Sequence, residues 1–482
     1  DGIVATDISK YKKQTVRVNS THKFFDDFLT FGQNLFYTHQ KNVGIGSQNN
    51  EFGGVLADAI MMDPLTPVIE YDPIKANQSP YTSSQYILRD QYGNPYGLSN
   101  MQQTEIVNPM AFIRTRLGNY SWSDVVVGNA YLQAEFVKDL KFKTTLGAKK
   151  AFWGDYGFTP LYYLSSQNLN TARNNLYRSN GQGLDWSVEN TLTYDKKFGG
   201  HSISALLGQG VYVSGIGNFS GVTHYNLPTN DYAQASFNMA VAPTDKLGYS
   251  YNFNQVRRAS LFARLNYNYK EKYLLTGIIR RDGSSLFGPN NKFGNFPSVS
   301  AGWMISEENF MKGASNWLSM LKLRTSYGQT GNSNVGYRIY DYYEVGRSAI
   351  IGGAESTGVY ASDLGNKSIT WETTTEFNLG VDFGIFNNRF KLAAEYFKRK
   401  ITDLLVTNKP LPFYNEVNKI AGNIGSTQSQ GVEITLNTVN IVTKDFEWDT
   451  TLTLSHYNDR WLKRDPNWKP RAYEKEDDPI RA

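Results

Sequence analysis

The chain has 482 residues, a net charge of +5 and no cysteine, and it is rich in aromatics, with 32 Tyr, 27 Phe and 9 Trp. The lack of cysteine excludes disulfide frameworks, cysteine-ligated zinc and thiol catalysis, and the scattered basic residues form no stripe that would mark a nucleic-acid partner. With a mean hydropathy of −0.47, no window approaches the ~18 consecutive apolar residues of a spanning helix, but a membrane β-barrel stays open because only alternate residues of its strands face lipid.

Apolar and polar residues alternate with period two, the mark of strands. The alternation predicts strands over about residues 10–20, 28–40, 124–137, 140–153, 184–195 and 201–213. In SLFARLNYNYKEKYLLTGIIRRDG, Leu261, Ala263, Leu265, Tyr267 and Tyr269 share one face, and Arg264, Asn266 and Asn268 share the other. SMLKLRTSYG sets Leu321, Leu323 and Tyr327 against Lys322, Arg324 and Ser326. TTTEFNLGVDFGIF sets Phe377, Leu379, Val381, Phe383 and Ile385 against Glu376, Asn378 and Asp382. Further runs cover 389–402, 427–441 and 445–457, for a total of about fourteen strands. Many have ~10 or more residues, which suits tilted membrane-spanning strands and is about twice the globular mean.

The connections alternate between tight and long. Lys138-Asp139, Asp195 to Gly200, Lys270 to Lys272, Asn387-Asn388 and Thr443-Lys444 are tight. Residues 42–123, 154–183, 214–255, 328–372 and 403–426 are long, and 282–296 falls in a long slot. The segment 306–318, SEENFMKGASNWL, is an oversized short connector with room for a helical turn. A meander places its connections on two sides in turn, so this pattern is that of an outer-membrane barrel with short periplasmic turns and long external loops. Aromatics gather at the tight turns, as membrane-boundary girdles do: Tyr267, Tyr269 and Tyr273; Phe383, Phe386 and Phe390; Phe446 and Trp448. Core aromatics of a soluble sandwich or propeller are the alternative. Strand length, the polar opposite face and the alternation of connections favour the barrel. By parity both chain ends lie on the long-loop side, whereas complete barrels have even strand numbers. The expectation is the middle of a larger barrel.

RRDGSSLFGPNNKFGNFPSVSAGWMISEENFM, followed by LSMLKLRTSYGQTGN, resembles the SusC/RagA family of TonB-dependent outer-membrane transporters. GNAYLQAEFVKDLKFKTTLG, ITWETTTEFNLGVDFGIFNNRFKLAAEYFKRKITDLL and NIGSTQSQGVEITLN agree in order and spacing, so the resemblance covers essentially the whole chain. It implies an all-β fold: a transmembrane antiparallel β-barrel, here about fourteen strands of a 22-stranded plugged barrel. Residues 1–482 would be part of one barrel domain, with three strands and the plug before Asp1 and five strands after Ala482. The segment that engages TonB would also precede Asp1. Gly283, Gly288 and Gly294 are expected to supply positive φ in a rim turn that shapes the barrel and binds nothing.

In function the resemblance implies an importer of oligosaccharides or peptides in the bacterial outer membrane, energised through TonB. A SusD-like surface lipoprotein would form a lid, and two such pairs would form a dimer. By loop order, 328–372 and 403–426 would contact the lid. No enzyme activity, cofactor or nucleic acid is implied. The competing reading is a secreted soluble all-β glycan-binding protein or glycosidase.

No chemistry emerges from the motifs. His22, His39, His201, His224 and His456 are scattered and form no HExxH. GQGVYVSG (208–215) and GIGNFSG (215–221) fit no phosphate-cradling pattern. Asp26-Asp27, Glu307-Glu308 and Asp477-Asp478 read as solvated turn charges, and no EF-hand spacing is present. Catalytic, metal and cofactor residues are therefore assigned to none, and substrate-binding residues are unknown. The polar face of Arg264, Asn266, Asn268, Lys322, Arg324, Glu376, Asn378 and Asp382 suits a wet lumen. Loop tyrosines, among them Tyr71, Tyr81, Tyr92, Tyr96, Tyr162, Tyr340 and Tyr343, either stack on a ligand or pack the loops together.

Overall fold

The computed structural model describes residues 9–44, 54–99, 106–411, 417 and 419–465. The Asp477-Asp478 pair and both chain ends, 1–8 and 466–482, lie outside the described residues. Fourteen strands form one antiparallel sheet, each pairing with the next along the chain. They are β1 (Lys10–Phe24), β2 (Leu29–Val43), β3 (Tyr120–Val137), β4 (Leu140–Thr159), β5 (Asn175–Phe198), β6 (His201–Tyr225) and β7 (Val256–Tyr269). They continue as β8 (Tyr273–Ser284), β9 (Phe293–Met304), β10 (Leu318–Asn332), β11 (Glu372–Ile385), β12 (Phe390–Thr402), β13 (Ser426–Val442) and β14 (Glu447–Lys463). A short strand, Lys246–Asn252, pairs with the upper part of β6.

The register puts the apolar sets in continuous rows. Leu265 faces Ala205 on one neighbour and Gly277 on the other, and Leu323 faces Val381. This face is open in the chain: Leu265 is 48% exposed and Val381 38% exposed. A sheet in water would cover such a face, whereas a barrel wall turns it to hydrocarbon. The aromatics expected at the tight turns sit there as contacting pairs, Tyr269 with Tyr273 and Phe386 with Phe390. No helix among the described residues is long and apolar enough to cross a membrane.

The tight turns use left-handed non-glycine residues, including Asp26 and Asp27, Asp139, and Phe386, Asn387 and Asn388. Asp and Asn tolerate that conformation. Between β9 and β10 the expected helical turn takes the form of two 3₁₀ segments, Ile305–Glu307 and Asn309–Ala314.

On the opposite side the connections are longer, with two differences from the sequence expectation. The stretch 154–183 is mostly strand, since β4 runs to Thr159 and β5 starts at Asn175. Residues 214–225 likewise continue β6. Glycine hides the alternation there: a Cβ on Gly157 would lie 2.3 Å from the Tyr177 hydroxyl, and one on Gly181 would lie 2.4 Å from the Trp153 ring. The connection between β2 and β3 carries its own fold, with short helices Val55–Met61, Pro73–Ala76 and Pro109–Arg114. Asp72 and Asn108 cap the last two, accepting from Ile74 N at 2.8 Å and Met110 N at 3.1 Å, with proline at the first helical position. Tyr96, Val107, Ala111, Tyr162 and Leu164 make a small core beneath.

The rim turn between β8 and β9 corrects one expectation. Gly283, Gly288 and Gly294 are absent from the positive-φ glycines. Close approach is what requires them. A Cβ on Gly288 would lie 2.3 Å from the Lys367 carbonyl oxygen, and Cβ atoms on Gly283 and Gly294 would meet the Phe293 and Phe296 rings. The turn is built into a core of Leu286, Phe287, Phe296, Val335, Ile369, Trp371 and Ala421.

Candidate functional site

The inner face of the wall holds two networks of charged side chains. The first spans β5 to β8. Tyr212 donates its hydroxyl to Glu189. Arg280 donates Nε to both oxygens of Asp282, at 2.9 and 2.8 Å, and its terminal nitrogen to the Ser260 hydroxyl at 2.8 Å. The Ser260 hydroxyl donates in turn to Asp282, and the Arg280 guanidinium lies 5.0 Å above the Phe262 ring centre. Ser260 and Asp282 are register partners, as are Phe262 and Arg280, which places the whole set on one face.

The second network spans β10 to β12. Arg324 pairs with Asp382 at 3.2 Å and also with Glu395. A Cβ on Gly380 would lie 2.7 Å from the Arg324 guanidinium carbon, so glycine leaves the room that side chain fills. Arg399 donates to Glu376 at 2.8 Å, and the Asn378 amide donates to Glu376 at 3.1 Å and to Ser326 at 3.3 Å. Next to it, Glu376, Arg399, Phe397, Glu433, Tyr457 and Asp459 help line an open cleft of about 450 Å³. These ion pairs are half-exposed and weakly stabilising on their own. They hold hydrogen-bond donors and acceptors in fixed positions on the inner face of the wall. Arg324, Glu376, Asn378 and Asp382 are thus brought together as the alternation predicts, while Glu189, Tyr212, Arg280, Glu395 and Arg399 were not singled out in the sequence.

Other candidates separate. His39 pairs with Asp124 at 2.9 Å, His201 contacts the Tyr267 hydroxyl at 2.7 Å, and His224 packs edge-on to Phe237. Among the described residues no group of three His, Asp or Glu side chains could hold a metal ion. Glu308 departs from the solvated-turn reading. It accepts from the Tyr273 hydroxyl at 2.5 Å and the Trp303 indole at 3.0 Å, with Lys272 at 3.6 Å. Those partners, the tyrosine first, hold its carboxyl below the usual range. Of the loop tyrosines, Tyr81, Tyr96 and Tyr162 are buried packing residues, whereas Tyr71, Tyr92, Tyr340 and Tyr343 are exposed.

Known proteins match this architecture. The family described as TonB dependent receptor-like, beta-barrel, matches residues 70–480. TonB-dependent receptor P3 of Formosa agariphila is 33% identical over 378 residues, covering 78% of this chain and 35% of the relative. TonB-dependent receptor SusC of Bacteroides thetaiotaomicron is 29% identical over 96% of this chain and 44% of its own length. The chain thus spans less than half of each of these relatives. Among solved structures, the RagAB peptide importer in its closed-closed state superposes with a TM-score of 0.76 at 22% identity, over 95% of this chain and 48% of that one. That likeness shows the fold. The relatives are receptors rather than enzymes, and β-barrels of this kind are bacterial outer-membrane proteins. The chain belongs to the TonB-dependent receptor-like β-barrel family.

Proposed function

We propose that this chain is the wall of an active importer that admits oligosaccharides or peptides through the outer membrane, energised through TonB and covered by a SusD-like surface lipoprotein, with two such pairs forming a dimer. The observation that carries this reading is the two-faced sheet: one face is apolar and open, while the other bears the Arg280 and Arg324 networks. A soluble glycan-binding protein or glycosidase would instead bury the Leu265 and Val381 rows in a core. In the proposed orientation the tight turns face the periplasm, and the connections 44–119, 160–174, 226–255, 285–292, 333–371 and 403–425 lie outside.

The test is uptake in cells with and without TonB, together with detergent purification and identification of what co-purifies. Uptake that persists without TonB, or extraction without detergent, contradicts the proposal. For orientation, a cysteine at Asn388 should stay unlabelled by an impermeant reagent on intact cells. Labelling there reverses the assignment of sides.

A further inference from the structure

The glycine-rich stretches GQGVYVSG and GIGNFSG, which fit no phosphate motif, have a place in the wall. Odd-numbered residues of β5 from Ser179 to Glu189 face the same side as the Glu189–Tyr212 pair. Along the rows above that pair, Trp153 faces Gly181, Gly181 faces Phe219, and Phe219 faces Tyr251. One row further up, Asp155 faces Ser179, Ser179 faces Gly221, and Gly221 faces Tyr249. Glycine clears the backbone so that rings can lie on it: Cβ atoms on Gly181 and Gly221 would come within 2.4 Å of the Trp153 ring and 2.5 Å of the Tyr249 ring.

The result is a strip of five rings in unbroken contact. Tyr249 and Phe219 centroids are 6.1 Å apart, Phe219 and Tyr251 5.7 Å, Tyr251 and Phe253 5.9 Å, and Phe253 and Trp153 5.9 Å. Neither lipid nor a core accounts for it. The rings are on the face opposite the hydrocarbon rows, and Tyr249 and Tyr251 are 45% and 54% exposed. Carboxylates flank the strip: Asp155 accepts from the Ser179 hydroxyl at 3.0 Å, and Asp185 accepts from Gly215 N at 3.0 Å. Lys149, the register partner of Asp185, offsets one of these charges. Below the strip on the same face come Arg258, Ser260 and Arg280.

We infer that Trp153, Phe219, Tyr249, Tyr251 and Phe253 form a stacking platform for an uncharged oligosaccharide on its way from the rim into the lumen. This rests on the importer reading. Aromatic faces carry negative quadrupole density that attracts C–H groups. A pyranose offers C–H groups on its flat faces and hydroxyls around its edge, where Asp155, Ser179 and Asp185 stand. The near balance of charge beside the strip suits a ligand without charge. An extended peptide would instead seek an open strand edge. Under Trp153 and Phe219 the backbone is paired on both sides, and the short strand Lys246–Asn252 keeps one open edge, so the peptide arm of the test decides between the two ligands.

The test uses the full-length receptor in detergent, titrated calorimetrically with laminariheptaose, maltoheptaose and a mixed-sequence decapeptide. At least one heptaose should bind. Joint replacement of Tyr249→Ala and Tyr251→Ala should weaken it by about tenfold or more, and the paired Tyr→Phe changes should stay within about twofold. Heat-modifiable gel mobility checks that each variant is folded, and both tyrosines are exposed enough for truncation to be tolerated. Binding of the peptide alone, no binding of either sugar, or sugar binding indifferent to the alanine pair overturns the inference. Cell uptake separates the two ideas: TonB-dependent uptake unchanged in the alanine variant removes the platform and leaves the importer, and TonB-independent uptake removes the importer.

Discussion

Phe287 and Trp371 lie with ring centroids 5.1 Å apart, and through them the rim turn after β8 grips the far end of the connection 333–371. The Trp371 indole donates to the Lys292 carbonyl at 3.1 Å, and the Asn291 amide donates to the Ser368 carbonyl at 3.0 Å. Phe287 is fully buried. The motif that carries the family resemblance is thus a clamp for another loop, with no ligand needed to explain it. Phe287→Ala should cost about 3–5 kcal/mol. It should also free 333–371 to proteolysis while the wall keeps its heat-modifiable mobility. Gly288→Ala should loosen the same loop, because its Cβ has no room beside the Lys367 carbonyl. Unchanged cleavage in both variants would remove the clamp.

The two faces of β11 make a paired prediction. Val381 belongs to the hydrocarbon row and Asn378 to the polar network with Glu376 and Ser326. Val381→Arg should cost roughly 2–4 kcal/mol near the membrane midplane. Asn378→Arg should cost much less, since water and carboxylates are available to it. Denaturant unfolding in detergent or liposomes measures both, and equal penalties would contradict the assigned phase.

Legibility in the sequence followed the range of the interactions. Strict alternation in 373–385 reveals which side chains share a face, and the register with β10 then follows from matching rows. The upper parts of β5 and β6 escaped notice because glycines interrupt the apolar signal where rings from a neighbouring strand supply the missing side chain. Trp153 and Phe253 stack although they are far apart in the chain, so no local pattern joins them. Glu308 looks like one of two adjacent turn carboxylates until Tyr273 arrives from across the turn. Tyrosine content alone could not separate buried Tyr81 from exposed Tyr92, because both occur in similar polar surroundings.

Asp58 gives the β2–β3 connection a pH dependence. It sits in the helix Val55–Met61 at 1% exposure, and burial raises its carboxyl from the ordinary 3.8 to about 6. Val107 N donates to it only at 3.4 Å, which offsets little of that burial. A raised carboxyl pKa means that the folded form holds the proton longer than the unfolded form. Stability of this region should therefore fall as pH rises from about 4 to about 6, then level off. Asp58→Asn should remove that slope, leaving the region more stable than the parent at pH 7 and little different at pH 4. Protease sensitivity of residues 54–99 across this pH range reads the effect, and a flat profile in the parent would refute it.

The strands Tyr342–Ile351 and Ala354–Asp363 pair only with each other and stand apart from the wall. Two-stranded hairpins are marginal alone in water, and this one exposes apolar side chains at its tip, with Ile350 80% and Ile351 67% exposed. Gly352 and Gly353, both at positive φ, close the turn. At the base Arg338 pairs with Asp363 at 3.0 Å, anchoring the hairpin where it leaves the rim. An exposed apolar tip on a fixed base is suited to meeting a partner surface, and under the proposed function that partner is the lipoprotein lid. Deleting residues 350–359 removes the tip and leaves the anchored base and the clamp at Trp371. Co-purification of the lipoprotein should weaken, while gel mobility and detergent extraction match the parent. If the pair stayed fully associated and uptake were normal, the hairpin would not be the lid's contact, and the connection 403–425 would have to carry that role alone.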